Sequence, residues 1–201
     1  MPEILTELAR EALLEDGEIC DAQFEDDFLD ELQGHTLSFT GCTFVRCTFC
    51  AGELHRFDFV DCRFEKCDLS NMNLRGSLLT RCRFEGCRLT GVELSEASLR
   101  DLTFSDCHMA YSNLSDGRAR HLSFIGCNLQ NSAFLSLTHS FLTFSDCSLR
   151  QAEFQRTPLK DVDLTTCQLD GLVVEISVLH GAIVTAPQAM ELSRLLGLVI
   201  K

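Results

Sequence analysis

The chain has 201 residues, is 45% hydrophobic and carries a formal charge of −13, figures that fit one domain with a real core. No stretch reaches the ~18 consecutive apolar residues of a membrane helix. Met1-Pro2-Glu3-Ile4 also lacks the basic-then-apolar pattern of a signal peptide. A cytoplasmic protein without membrane contact is therefore expected, and its twelve cysteines read as reduced thiols rather than a secreted disulfide framework. The acidity is local, because residues 1–31 hold twelve of the thirty acids and a single base, Arg10. The remainder is close to neutral.

The first predicted element lies in residues 3–15, where Ile4, Leu5, Leu8, Ala9, Ala12 and Leu13 form one helical stripe and Gly17 reads as the stop. The acidic segment 1–21 is thus a helix that either caps the rest of the chain or forms an arm. Beyond it the dominant signal is a repeat. From Phe39 to Leu179, every fifth residue is Phe, Leu, Met or Val at 27 of 29 positions, the exceptions being Ala119 and His139. Two residues before each of these stands a small or apolar side chain, and ten of the twelve cysteines fall there. Two inward positions in five match neither the helical nor the strand period. They match a chain that turns a corner every five residues.

The number of sides emerges from a longer recurrence. Phe44, Phe64, Phe84, Phe104, Phe124 and Phe144 recur at twenty residues, as do Cys47, Cys67, Cys87, Cys107, Cys127, Cys147 and Cys167. Four pentapeptides therefore make one coil, and these residues are expected to stack as core columns. The predicted fold is an all-β solenoid, a right-handed quadrilateral β-helix of about eight coils spanning residues 22–184, stacked at ~4.8 Å per coil. Short helices stand at both ends. At the C-terminal end (185–201), Thr185-Ala186-Pro187-Gln188 reads as a capping box with an early Pro, and a helix continues to Leu196 with Gly197 as its stop. An apolar set (Met190, Leu192, Leu195, Leu196, Leu198, Val199, Ile200) has no coil above it, so a homodimer through this end is expected.

No catalytic, metal or cofactor constellation is present. Cys47-Thr48-Phe49-Cys50 is a CxxC near His55, but it lacks a second pair and Cys47 already belongs to the inward column, so packing is the expected role. His139, one coil beyond Ala119, suggests a local bulge around Asp116–Arg120 and Ser136–Phe141. It is read either as a binding projection or as an imidazole simply rotated outward. Glu93, Glu96, Asp101, Asp106 and Asp116 form an acidic waist interrupted only by Arg100. Partner binding at that waist competes with an ordinary solvated surface.

The five-residue register, with Cys, Ala or Ser two places before a central Leu or Phe, resembles that of the pentapeptide-repeat family. The ending Ile183-Val184-Thr185-Ala186-Pro187-Gln188-Ala189-Met190, continued by Leu195-Leu196-Gly197-Leu198-Val199-Ile200-Lys201, is similar to the terminus of the Qnr-type quinolone-resistance proteins. That resemblance implies a non-enzymatic homodimeric rod that imitates duplex DNA, binds DNA gyrase or topoisomerase IV, and does not itself bind nucleic acid. It would protect the topoisomerase from quinolones or modulate it. Regularly spaced carboxylates could stand in for phosphates on a cationic saddle. The chain departs from many such proteins in having no loop that interrupts the coils, and in its near-neutral body. The alternative is a general interaction scaffold with another partner.

Overall fold

The computed structural model describes residues 4–30, 32–50 and 53–197. Helix α1 (Ile4–Leu14) is followed by a parallel β-solenoid and a closing helix, α2 (Ala186–Leu192), with a single 3-10 turn at Ser193–Leu196. Every strand pair is parallel, and each joins residue i to residue i+20, from Glu18↔Ser38 at one end to Val162-Asp163 with Ile183 at the other. One coil is therefore twenty residues. About eight coils at ~4.8 Å each make a rod of roughly 40 Å.

The four corners of each coil are visible in the backbone. In the coil from Asp101, the residues with left-handed φ are Asp101 (54°), Asp106 (53°), Tyr111 (62°) and Asp116 (57°), one in every five. Asp and Asn tolerate this conformation better than other side chains and glycine adopts it freely, which explains why Asp, Asn and Gly crowd these positions. Tyr111 and Phe141 (58°) are bulky residues in the same conformation, and both point into solvent. Each side holds one central inward side chain and one smaller inward residue before it. Long strands β1 (Ser98–Ser105), β2 (Arg118–Ile125) and β3 (Thr138–Ser145) run around one corner without losing their pairing.

The core is a set of columns. Phe24, Phe44, Phe64, Phe84, Phe104, Phe124 and Phe144 stack ring on ring, with centroids 4.4 to 5.3 Å apart. Burying such rings face to face at the coil spacing satisfies both packing density and offset-stacking geometry. Cys47, Cys67, Cys87, Cys107, Cys127, Cys147 and Cys167 form a buried thiol column, and a shorter one holds Cys42, Cys62 and Cys82. Their sulfurs do more than fill space. Cys107 Sγ donates to the carbonyls of Phe84 (3.4 Å) and Ser105 (3.3 Å), and Cys127 repeats the pattern to Phe104 and Ile125. Thr157 makes the equivalent bonds to Phe134 and Gln155, so the position selects a small donor.

Both ends are closed. Helix α1 buries Leu5, Thr6 and Ala9 on the first coil. Asp27 accepts from the Leu5 amide at 3.0 Å, and Thr6 bridges the Phe28 carbonyl and the Asp30 amide. The helix is therefore a docked cap, not an arm, and Gly17 (φ 73°) ends it by donating to the Ala12 carbonyl. At the other end Thr185 and Gln188 form the expected reciprocal capping box. The Gln188 amide also donates to the carbonyls of Leu164 (2.7 Å) and Cys167 (2.8 Å), which no further coil would satisfy. The regular α-helix stops at Leu192 rather than Leu196, and the 3-10 turn carries the chain to Gly197 (φ 72°).

Candidate interaction surfaces

With the coil length known, each outward residue can be assigned to a side. Most basic side chains of the first half are matched across adjacent coils: Arg46 holds Asp26 at 2.6 Å and Arg81 holds Asp61 at 2.6 Å. The Arg46 and Arg81 guanidiniums keep the Asp26 and Asp61 carboxyls below the ordinary carboxylate range. These are exposed pairs and contribute little stability singly. Their effect is to neutralise the surface locally.

The five carboxylates of the acidic waist do not share a side. Glu93 lies on one flat side, where it accepts from the Ser95 amide and from the Asn113 amide group one coil on. Glu96 and Asp116 occupy the next corner in successive coils, and Glu96 is held by Arg75 at 2.5 Å. Asp101 and Asp106 sit at two further corners, and Asp101 is paired with His121 at 2.7 Å. Twenty-four residues wrap more than one full coil, so a run that looks continuous in sequence is spread around the girth. The dense acidic surface is instead the N-terminal end, where Glu7, Glu11, Glu15, Asp16, Glu18 and Asp21 are all exposed.

At the C-terminal end Met190, Leu195 and Leu196 are exposed, with Ile183 and Ile176 nearby in sequence also exposed. Leu192 packs against the protein's own core. Leu198, Val199 and Ile200 lie outside the described residues. The expected bulge around Ala119 and His139 is absent. Both stay in register, Ala119 opposite Leu99 and His139, because β2 and β3 pair without an extra residue. His139 is half-buried, and its Nε2 donates to the Pro158 carbonyl. The CxxC residues fall apart similarly: Cys47 points inward in the thiol column, while Cys50 is partly exposed. No group of three or more His, Cys, Asp or Glu able to hold a metal occurs among the described residues. No described helix is long and apolar enough to cross a membrane.

Residues 57–134 match the family model described as a pentapeptide repeat region. No curated protein matches the chain. Among solved structures, the chain is similar to a trypsin-treated variant of QnrB1, a plasmid-mediated fluoroquinolone resistance protein. The identity is 24% over 92% of this chain and 90% of that one, with a TM-score of 0.45. It is also similar to a pentapeptide repeat protein from the Arabidopsis thaliana thylakoid lumen, at 17% identity over 49% and 66% of the two chains and a TM-score of 0.43. A third is HetL, a pentapeptide repeat protein of the cyanobacterium Nostoc involved in heterocyst differentiation regulation, at 15% identity over 79% and 84% with a TM-score of 0.29. The matched segment lies in the middle of an unbroken series of twenty-residue coils that repeat the same columns on both sides of it. Over residues 57–134 the chain thus carries a pentapeptide repeat region, and the coils on either side continue its twenty-residue register.

Proposed function

We propose that this chain is a cytoplasmic, dimeric binding protein of the Qnr type, which engages a type II topoisomerase (DNA gyrase or topoisomerase IV) by imitating a segment of DNA. The observation that carries this reading is the C-terminal end. The segment similar to the Qnr terminus closes the last coil through Gln188, then leaves Met190, Leu195 and Leu196 exposed. An apolar end on a stacked-coil rod fits a second copy, and two such rods joined end to end would approach 80 Å at ~4.8 Å per coil. The carboxylates for mimicry come from the acidic N-terminal end rather than from the dispersed waist. The test is gyrase supercoiling titrated with purified protein, with and without a fluoroquinolone. Restored supercoiling under drug, or inhibition without it, supports the reading; neither effect, with no detectable complex, refutes it.

The spread of the waist around four sides favours a second reading, an interaction scaffold that uses one flat side for another partner. A pull-down that returns a single non-topoisomerase protein, with no effect on supercoiling, would select it.

A further inference from the structure

The side of the solenoid built from the residues around Leu79, Leu99, Ala119, His139 and Leu159 differs from the others in charge. Arg100 and Arg120 are direct register partners in β1 and β2, so two guanidinium stems rise from the same face at the strand spacing. Arg118 stands on the same outward face two residues from Arg120. All three are exposed. Like charges directly opposite one another destabilise a sheet. Arg63 and Arg83 are also register partners, but there Glu65 and Glu85 both pair with Arg63; Arg46, Arg56, Arg75, Arg81 and Arg88 likewise each meet a carboxylate. Among the described residues, none of Arg100, Arg118 and Arg120 has such a partner, and Asp101, next to Arg100, is taken by His121.

The three arginines border a groove of about 360 Å³. In its lining Ala119 stands where the larger Leu79 and Leu99 stand in the same column. The adjacent Gly117 makes room for Leu137, whose Cδ1 lies 3.3 Å from where a Cβ would stand. No carboxylate lines the groove, although the chain has thirty acids and seventeen Lys and Arg. The remaining polar lining is hydroxyl (Ser98, Thr138, Ser140) and imidazole (His139). With Nε2 donating to Pro158, the Nδ1 of a neutral His139 is an acceptor, so donors to an oxyanion come from the arginines and hydroxyls. The next groove along the same side adds Arg156 and Lys160.

We propose that this groove is a binding site for a phosphate-type oxyanion, carried either by a small phosphate ester or by the backbone of a nucleic acid. Three guanidinium forks and three hydroxyls around a groove without a carboxylate suit a group with several equivalent oxygens, since each fork can give two parallel hydrogen bonds. A bound anion would also remove the repulsion between Arg100 and Arg120. The chain's overall negative charge repels anions at long range, so the binding is carried by contacts inside the groove. It requires no topoisomerase and stands or falls separately from that reading.

The experiment is calorimetric titration of the full chain at fixed ionic strength with pyrophosphate, with a short single-stranded oligonucleotide, and with succinate as a carboxylate control. Wild-type protein, the double variant Arg118→Gln/Arg120→Gln and the distant control Arg46→Gln are compared. Binding of pyrophosphate, the oligonucleotide or both, weakened about tenfold or more in the double variant and unchanged in Arg46→Gln, is the expected result. Pyrophosphate alone identifies a small ester as the source, and preference for the oligonucleotide identifies the backbone. In a thermal melt at low salt, the ligand-free double variant should melt at or above the wild type, while pyrophosphate raises only the wild type. No binding at ~10 mM ligand, weaker than any specific affinity worth the name, overturns the proposal. So does equal binding by the double variant, or equal binding of succinate.

Discussion

Replacing Phe104 by Ala tests the column model at its centre. The ring is fully buried and stacks on Phe84 at 4.6 Å and on Phe124 at 5.3 Å, with planes 13° and 11° apart. Truncating a buried Phe costs about 3–5 kcal/mol. Loss of two stacking partners, each worth ~0.5–1.5 kcal/mol beyond burial, places this site in the upper part of that range. The neighbouring columns and the backbone ladders hold the coil open on every side, so collapse into the void is limited. In a domain of this size each kcal/mol moves the melting temperature by about 2–4 °C, which gives a fall of roughly 8–20 °C. Circular dichroism melts of wild type, Phe104→Ala and Phe104→Leu would measure it. Leu takes the central inward position on other sides of the coils and at Leu164 in this column, so Phe104→Leu should lose no more than ~1.5 kcal/mol. Phe141→Ala, at 69% exposure, should be close to neutral or slightly stabilising. A Phe104→Ala melt within ~2 °C of wild type, below 1 kcal/mol on the same conversion, would refute the inward column.

Gln188→Ala should destabilise the C-terminal coil by about 2–4 kcal/mol, because it leaves the Leu164 and Cys167 carbonyls without donors and breaks the capping box; hydrogen exchange of the last coils would report it before global melting does. Leu196→Glu should convert a dimer to monomers in sedimentation velocity, and an unaltered dimer would exclude this end as the interface. Native protein at neutral pH should react with a thiol reagent at Cys20 and at the partly exposed Cys50 only, since the other ten cysteines are buried. The hydrogen bond to the neighbouring thiol, together with burial, raises Cys47 and Cys167 above the ordinary thiol range. Their stabilising contribution is therefore complete below the unfolded thiol value of ~8.5 and is lost as the pH rises beyond it. Urea midpoints at pH 7 and pH 10 should fall in that order, and equal midpoints would contradict the raised thiols.

How far the chain can be read from its residues depends on whether the signal is inward or outward. Inward residues repeat because geometry forces them to, so Phe104 and Cys107 can be assigned from spacing alone. The coil length then places cross-coil pairs such as Asp61 with Arg81. Outward residues obey no such rule, and grouping them by sequence neighbourhood misleads: Glu93 and Asp106 are thirteen residues apart and lie on different sides. Arg100 and Arg120 are twenty apart and touch the same groove, yet along the linear chain one falls inside an acidic run and the other beyond it. The irregular centres Ala119 and His139 are visible as exceptions. That they stay in register instead of bulging is visible only in the pairing of β2 and β3. The second role of Gln188 has no sequence signal, because its acceptors are backbone carbonyls more than twenty residues away.

The constant offset of twenty between paired residues sets a rule for length changes in this protein. Removing twenty residues from the middle deletes one storey and leaves every column aligned. Removing five keeps each inward residue inward but rotates everything beyond the cut by a quarter turn about the rod axis. The interior would scarcely register the second change, whereas the groove of Arg100, Arg118 and Arg120 would swing to face a different direction relative to the acidic end. The bearing between one surface feature and another is thus a variable that can be altered in steps of ninety degrees at little cost to the interior.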